Sequence, residues 1–110
     1  MMDRTKLQGE KRDMTESQLE RRLTRGVKTL GGRAYKFVSP GNAGMPDRLV
    51  ILPGGRVLFV ELKTASGRLS VRQRLKIQEL RCLGANVRPL FGADEVDEFL
   101  QLCKVYVEVK

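Results

Sequence analysis

An acidic residue and an acid-lysine pair stand at matched distances on either side of a tight turn. Asp47 precedes one short apolar run, and Glu61 and Lys63 end another. Between the runs lies Pro53-Gly54-Gly55, a turn sequence that predicts a β-hairpin. With the hairpin centred on its middle glycine, Asp47 faces Glu61, and opposed side chains lie about 5 Å apart on one face. Lys63 shares that face because strand side chains alternate with period two.

Two directly opposed carboxylates repel each other, and burial would raise the pKa of at least one unless a cation lies between them. Mg²⁺ suits such a pair because it takes oxygen ligands and is usually held by one or two carboxylates plus phosphate oxygens. Lys63 could then activate water or stabilise phosphate. The alternative is that Asp47 opens a turn while Glu61 and Lys63 are solvated and pair weakly. A register slip of one residue would separate the carboxylates.

Composition limits the chemistry and suggests a partner. The 110-residue chain has no histidine, which excludes histidine zinc sites and Ser-His-Asp triads. Its net charge is +8 and its pI about 10.0, values typical of proteins with a polyanionic partner, most simply nucleic acid. Residues 14–92 hold fifteen basic and only five acidic residues, which are Glu16, Glu20, Asp47, Glu61 and Glu79. The proposed carboxylates thus stand in a basic region, as metal ligands within a phosphate-binding surface would.

The chain length fits one domain with one modest core. No apolar run approaches the length needed to cross a bilayer, and the charged N-terminus does not resemble a signal peptide. We therefore expect a cytoplasmic protein that contacts no membrane. Cys82 and Cys103 have no metal-ligand spacing, and we expect both to be buried, reduced thiols.

Periodicity and turn residues predict a polar, mobile tail over residues 1–14 and a folded domain over residues 15–110. Capping boxes at Thr15 and Ser70 predict helices that end near Leu30 and Leu83. The predicted strands are Ala34 to Ser39, Arg48 to Leu52, Val57 to Lys63 and Asn86 to Phe91. A helix from Ala93 to Cys103 should follow, and then a last strand at Val105, Val107 and Val109 whose exposed edge would favour self-association. Strands that are apolar on both sides predict an α/β fold with a sheet covered on each face.

Three polar residues on the two helices are further candidates for the site. Glu16 and Glu20 lie on or beside the apolar stripe of the first helix, and a carboxylate that faces the core needs a partner. Glu16 fits the simpler role of a first-turn acid that complements the helix dipole, whereas Glu20 fits either role. Gln73 lies in the first turn of the second helix on its inward side, where it could cap the helix or face the site.

Together these residues resemble a stand-alone VRR-NUC domain of the PD-(D/E)xK nuclease superfamily. The resemblance runs from about Glu16 to Glu95. It is most specific at Lys36-Phe37-Val38-Ser39-Pro40-Gly41, at Gly44-Met45-Pro46-Asp47-Arg48, at Phe59-Val60-Glu61-Leu62-Lys63 and at Gln73. It implies a restriction-endonuclease-like α/β core in which a helix, a three-stranded meander, a second helix and a further strand form a mixed sheet flanked by helices.

The resemblance also implies roles for individual residues. Asp47 and Glu61 would be metal ligands, with the Leu62 carbonyl as a third ligand and Lys63 as the catalytic lysine. Glu20 would be the helical acid that touches the site and a further candidate ligand, with Glu16 as its rival, and Gln73 would support the site from the side. Mg²⁺ is the expected cofactor, with Mn²⁺ able to substitute. The residues expected to contact nucleic acid are Lys36, Ser39, Arg48, Arg72 and Lys76.

The implied activity is that of a Mg²⁺-dependent, structure-selective DNA endonuclease acting at four-way or otherwise branched junctions, from a bacterial or phage-infected cell. Cutting two strands needs two active sites, so a homodimer is expected. The alternative is a non-catalytic nucleic-acid-binding module that keeps the fold and the basic surface while its carboxylates are structural.

Overall fold

Three helices and four strands follow one another in a computed structural model that describes residues 13–108. Residues 1–12, most of the predicted mobile tail, lie outside the described residues. The elements are α1 (Glu16–Thr29), β1 (Arg33–Lys36), β2 (Arg48–Leu52), β3 (Arg56–Lys63), α2 (Val71–Cys82), β4 (Val87–Phe91) and α3 (Gly92–Glu108). Both predicted capping boxes are present, at Thr15 and at Ser70. The predicted fold class and element order are confirmed.

The sheet has the order β1-β2-β3-β4, in which the first three strands form an antiparallel meander and β4 runs parallel to β3. The β2–β3 hairpin closes at Leu52 and Arg56, which are paired across the turn. Gly54 and Gly55 have φ angles of 91° and 86° there, values that side-chain-bearing residues rarely adopt. These two glycines make the tight turn compatible with the register of the hairpin.

The observed register is the one predicted from the turn. Ile51 pairs with Val57, and Leu49 pairs with Phe59. The last pair in the ladder is Arg48 and Val60. The same register, continued by one residue, places Asp47, directly before β2, opposite Glu61. The Phe37 backbone N–H donates to the Asp47 carbonyl at 2.7 Å, which continues the β1–β2 pairing by one step beyond the strand ends.

One face of the sheet, which we call the core face, is packed against α1 and α3. It carries the even-numbered residues of β2 and β3, and its fully buried side chains are Val50, Leu52, Leu58, Val60 and Leu62. Helix α1 contributes Leu19, Leu23 and Val27, which recur at helical spacing. The two helices are also joined by Arg22, which donates from Nε and Nη2 to the two carboxylate oxygens of Asp97 at 2.7 and 2.9 Å.

The opposite face, which we call the open face, carries the odd-numbered strand residues and is only partly covered. Helix α2 packs there against β4, and its one fully buried side chain is Ile77. Three apolar side chains on this face remain substantially exposed: Tyr35 by 53%, Ile51 by 37% and Val57 by 47%. The prediction that the sheet is covered on both faces is therefore only partly right.

The predicted last strand is wrong, because α3 continues to Glu108 and includes Val105 and Val107. Val109 lies outside the described residues. The helix continues because Phe99, Cys103 and Tyr106, at helical spacing, pack against the core, and this long-range burial outweighs the local alternation of valines. The strand edge that was expected to favour self-association therefore has no structural basis.

Two smaller predictions also need correction. Strand β1 ends at Lys36 rather than Ser39, since residues 37–39 have no regular strand structure. Cys82 is exposed, whereas Cys103 is buried as expected, and burial raises the pKa of the Cys103 thiol to about 11. Within residues 13–108, no helix has both the length and the apolar character needed to cross a membrane.

The alternation between faces predicts a large and a small loss of stability at two adjacent positions. Leu58→Ala should lower the free energy of unfolding by about 2–5 kcal/mol, because Leu58 is fully buried on the core face. Val57→Ala should cost about 1 kcal/mol or less, because Val57 is half-exposed on the open face. Urea unfolding of both variants measures the difference. A larger loss for Val57→Ala would mean that β3 presents the other face to the helices.

Candidate active site

Two carboxylates lie side by side on the open face, at the end of the hairpin remote from the turn. Glu61 is inside β3, between the neighbouring strands, and is only 5% exposed. Asp47 is directly before β2, and its Oδ1 atom is buried without a hydrogen-bond partner among the described residues. A buried acceptor without a donor is costly unless a cation or an ordered water meets it.

The pKa values of both groups reflect this crowding. Burial raises the pKa of Glu61 to about 7, and the negative charge of Asp47 adds to the rise. Lys63 and the Asp47 backbone N–H oppose it, but they do not cancel it. Burial also raises the pKa of the Asp47 carboxyl, against the opposing charge of Arg48. Without further positive charge nearby, the carboxyl groups of Asp47 and Glu61 resist being ionised at the same time.

Gln73 and Lys63 approach the same oxygen of Glu61. Gln73 Nε2 donates to Glu61 Oε2 at 3.3 Å, and Lys63 Nζ lies 3.8 Å from that oxygen. Gln73 Oε1 also accepts from the Ser70 backbone N–H at 2.9 Å, as part of the α2 capping box. Because the cap holds the amide oxygen, the amide nitrogen is directed at Glu61. Gln73 thus both caps the helix and contacts the carboxylate.

A glycine contact holds the loop before Asp47 against α2. Gly44 has a φ of 84°, and a Cβ atom at this position would collide with the Arg72 backbone carbonyl in the first turn of α2. The chain can approach the helix this closely only without a side chain. From sequence, the loop glycines suggested positive φ angles but not this contact, which sets Asp47 relative to Gln73.

Glu20 forms an ion pair with Arg48. One Arg48 guanidinium nitrogen lies 2.7 Å from Glu20 Oε2, and the Arg48 side chain is only 13% exposed. Arg48 is an even-numbered residue of β2 and therefore lies on the core face, and its Nε is buried without a partner among the described residues.

Glu16, the other candidate for the helical acid, is exposed. The charge of Glu20 raises the pKa of Asp47, and the charge of Glu16 raises the pKa of both Asp47 and Glu61. The choice of helical acid stays a prediction.

The five residues expected to contact nucleic acid have different surroundings. Lys36 and Arg72 have exposed side chains. The Ser39 hydroxyl accepts from Asn42 Nδ2 at 2.9 Å, and Lys76 Nζ lies 2.6 Å from Glu79 Oε2. Arg48 is mostly buried against Glu20, so its guanidinium does not project freely into solvent. The roles of all five in binding nucleic acid stay predictions.

The donors present fit a hard divalent cation. Within the described part of the chain, no group of three or more His, Cys, Asp or Glu side chains is placed to hold a metal ion. The carboxylate pair alone would supply oxygen ligands and leave several positions for water and phosphate, which suits Mg²⁺ better than zinc. The unpartnered Asp47 Oδ1 is consistent with such a ligand. The Leu62 carbonyl, next to Glu61 in β3, stays a predicted third ligand.

Comparisons with known proteins identify the family. The VRR-NUC domain matches residues 5–94 of the chain, a range that includes every predicted site residue. The protein belongs to the VRR-NUC domain family. A solved structure described as a VRR_NUC domain is similar with a TM-score of 0.74 and 31% sequence identity, over 78% of this chain and 94% of that chain.

A curated relative points in the same direction. A protein of Acyrthosiphon pisum secondary endosymbiont phage 1, named "Putative nuclease p44", is 43% identical over 79 residues, which are 72% of this chain and 85% of the relative. Membership of the VRR-NUC family and similarity to this phage protein support a nuclease, with nucleic acid as its substrate.

Two loop glycines provide a matched test of the contact with α2. Gly41 and Gly44 both have positive φ, but a Cβ at Gly41 would meet nothing within 4 Å. Gly41→Ala should therefore cost only about 1–2 kcal/mol of unfolding free energy, from backbone strain. Gly44→Ala should cost more and should also reduce nuclease activity, because Asp47 and Gln73 move apart. Urea unfolding and cleavage assays on both variants test this, and equal losses would contradict it.

The raised pKa of Glu61 predicts how the stability of the metal-free protein depends on pH. The folded-state pKa is about 7 and the ordinary value 4.5, so the folded state binds the proton more tightly. Stability should therefore fall as pH rises from about 4.5 past 7, by up to about 3 kcal/mol. Urea unfolding in chelator at pH 5 and pH 8 measures this.

Glu61→Gln should remove most of this loss and make the metal-free protein more stable at pH 8. Glu79→Gln is the control, since Glu79 is an exposed acid on α2 that pairs with Lys76. It should keep the wild-type dependence. An unchanged pH dependence in Glu61→Gln would show that Glu61 is not the group responsible.

Proposed function

We propose that the protein is a Mg²⁺-dependent endonuclease that hydrolyses phosphodiester bonds of branched DNA, including four-way junctions, and that Mn²⁺ can replace Mg²⁺. The observation that carries the proposal is the pair formed by the buried Glu61, whose carboxyl pKa is strongly raised, and the partly buried Asp47, whose Oδ1 is an unpartnered acceptor. A purely structural pair at a polar hairpin end would be solvated instead. Membership of the VRR-NUC family is consistent with this interpretation.

A bound Mg²⁺ would polarise a phosphate oxygen and lower the pKa of a coordinated water. Asp47 and Glu61 would hold the ion, with the Leu62 carbonyl as a third ligand. The cation would remove the electrostatic conflict between the two carboxylates, so both could ionise near neutral pH.

Gln73 would orient the Glu61 carboxylate, and Lys63 would balance negative charge. Gln73, fixed by the capping box, keeps the Glu61 carboxylate in one orientation through its amide nitrogen. Lys63, on the same face as Glu61, would place its ammonium near the attacked phosphate and offset the negative charge that develops in the transition state. Hydrolysis then adds water to phosphorus and breaks one P–O bond, with the released oxygen taking a proton.

Charge supports a nucleic acid as the substrate, and branched DNA is what the family resemblance implies. The net charge of +8 favours a polyanion, and the exposed basic residues include Arg72, which lies next to Gln73 in the first turn of α2. Cutting both strands at a junction needs two active sites, which a homodimer would supply. Conversely, the pairing of Glu20 with Arg48 leaves fewer free acids for catalysis and is the observation that favours a non-catalytic nucleic-acid-binding module.

Cleavage assays distinguish the endonuclease from the non-catalytic binding module. With labelled four-way junction, flap and duplex DNA, we expect Mg²⁺-dependent cleavage of the branched substrates and none in chelator. Asp47→Ala, Glu61→Ala and Lys63→Ala should each lower the cleavage rate by roughly a hundredfold or more, because each removes a ligand or a charge used in the transition state. Cleavage that persists in chelator or in Asp47→Ala would overturn the proposed mechanism.

Binding assays separate loss of chemistry from loss of binding. Arg72→Ala should weaken DNA binding in a salt-dependent way, whereas Glu61→Ala should retain binding. Glu16→Gln and Glu20→Gln, compared in the cleavage assay, show which helix acid supports cleavage. Salt-sensitive binding of all substrates without any cleavage in Mg²⁺ or Mn²⁺ would establish the non-catalytic module instead.

A further inference from the structure

An apolar strip on the open face lies outside the cover provided by α2. Ile51 and Val57 are directly opposed across the β2–β3 hairpin, and Tyr35 lies one row closer to the site, opposite Leu49. Tyr35, Ile51 and Val57 are 53%, 37% and 47% exposed. Contiguous apolar side chains on an exposed surface are a common mark of a binding site.

The strip is continuous with the candidate active site. Phe37, two residues after Tyr35, is on the same face and bonds through its N–H to the Asp47 carbonyl at 2.7 Å. Its ring packs edge-on against Phe59, with ring centroids 5.5 Å apart. Residues two apart in a strand are separated by about 6.6 Å, so Tyr35 lies about one row from the carboxylate pair.

We propose that this strip, with Tyr35 as its stacking platform, binds unpaired bases of the DNA strand whose phosphate enters the carboxylate site. The inference rests on the proposed nuclease function and adds a feature of the substrate to it. An exposed aromatic ring among aliphatic side chains offers the surface on which bases stack in single-strand-binding proteins. Bases in an intact duplex are already stacked on one another, so only splayed or unpaired nucleotides can use it.

Charge complementarity favours nucleic acid as the occupant of the strip. Arg33 is exposed and occupies the same row and face as Ile51, at the edge of the strip. The chain carries a net charge of +8, which attracts a phosphate backbone. The strip thus gives branched or flapped DNA a contact that paired DNA cannot make.

The tyrosine content of the chain allows a direct test. The sequence has no tryptophan and two tyrosines, Tyr35 and Tyr106. Tyr106 lies on the α3 side of the sheet, where the Arg56 guanidinium is 4.4 Å from its ring centroid. Tyr106→Phe therefore leaves Tyr35 as the only tyrosine emitter, and Tyr35→Phe leaves only Tyr106. Both full-length variants can be titrated with splayed-arm DNA and with matched duplex, in Ca²⁺ in place of Mg²⁺ to limit cleavage.

We expect splayed-arm DNA to quench tyrosine emission in Tyr106→Phe, while matched duplex leaves it nearly unchanged. Tyr35→Phe should show little quenching with either DNA. In anisotropy titrations, Tyr35→Ala should weaken splayed-arm binding by about fivefold or more, and Tyr35→Phe by less than about twofold. Duplex binding should not change. Val105→Ala, at a 52% exposed position on α3, is the matched surface control and should bind like wild type.

Other outcomes would overturn the inference in distinguishable ways. DNA binding and cleavage without selective quenching of Tyr35 would remove the stacking platform and leave the nuclease function intact. Quenching of Tyr35 that rises with protein concentration in the absence of DNA, with a dimer in sedimentation that Tyr35→Ala dissociates, would assign the strip to a second copy of the chain. Failure of every DNA to bind or to be cleaved would reject the proposed function, and this inference with it.

Discussion

The burial of Glu61 beside Asp47 is the constraint on which the rest of the site depends. Two carboxylates on adjacent strands of a sheet repel each other, and the strands around Glu61 exclude the water that would weaken the repulsion. The arrangement persists because the core face supplies enough apolar burial to tolerate it. Functional sites commonly concentrate this kind of local cost, and the proposed Mg²⁺ would offset it.

Each surrounding element has a definite relation to that pair. The hairpin turn fixes which residues oppose each other, and the capping box of α2 directs the Gln73 amide at Glu61. The loop before Asp47 reaches α2 through a glycine because no side chain would fit against the helix backbone. Helix α2 buries only Ile77 fully, so its position depends on these polar and close-packed contacts more than on apolar packing.

Local sequence signals were sufficient for much of this architecture. Glycines in the turn and alternation in the strands determined the register, and Thr15 and Ser70 marked where α1 and α2 begin. The pairing of Arg48 with Glu20 was not predicted, although the need of Glu20 for a partner was, because it depends on how α1 crosses the sheet. The long α3 and the exposed Cys82 were also missed, since both depend on which distant surfaces an element buries.

The two faces of the sheet have a consequence for how the protein can change over time. Neighbouring positions in β2 and β3 alternate between a face that sets folding stability and a face that carries the carboxylates and the exposed strip. Exposed residues at odd-numbered positions, such as Ile51 and Val57, can therefore be substituted with little effect on the core. Stability and substrate preference could drift separately in one hairpin, so related chains could diversify their targets while keeping the same interior.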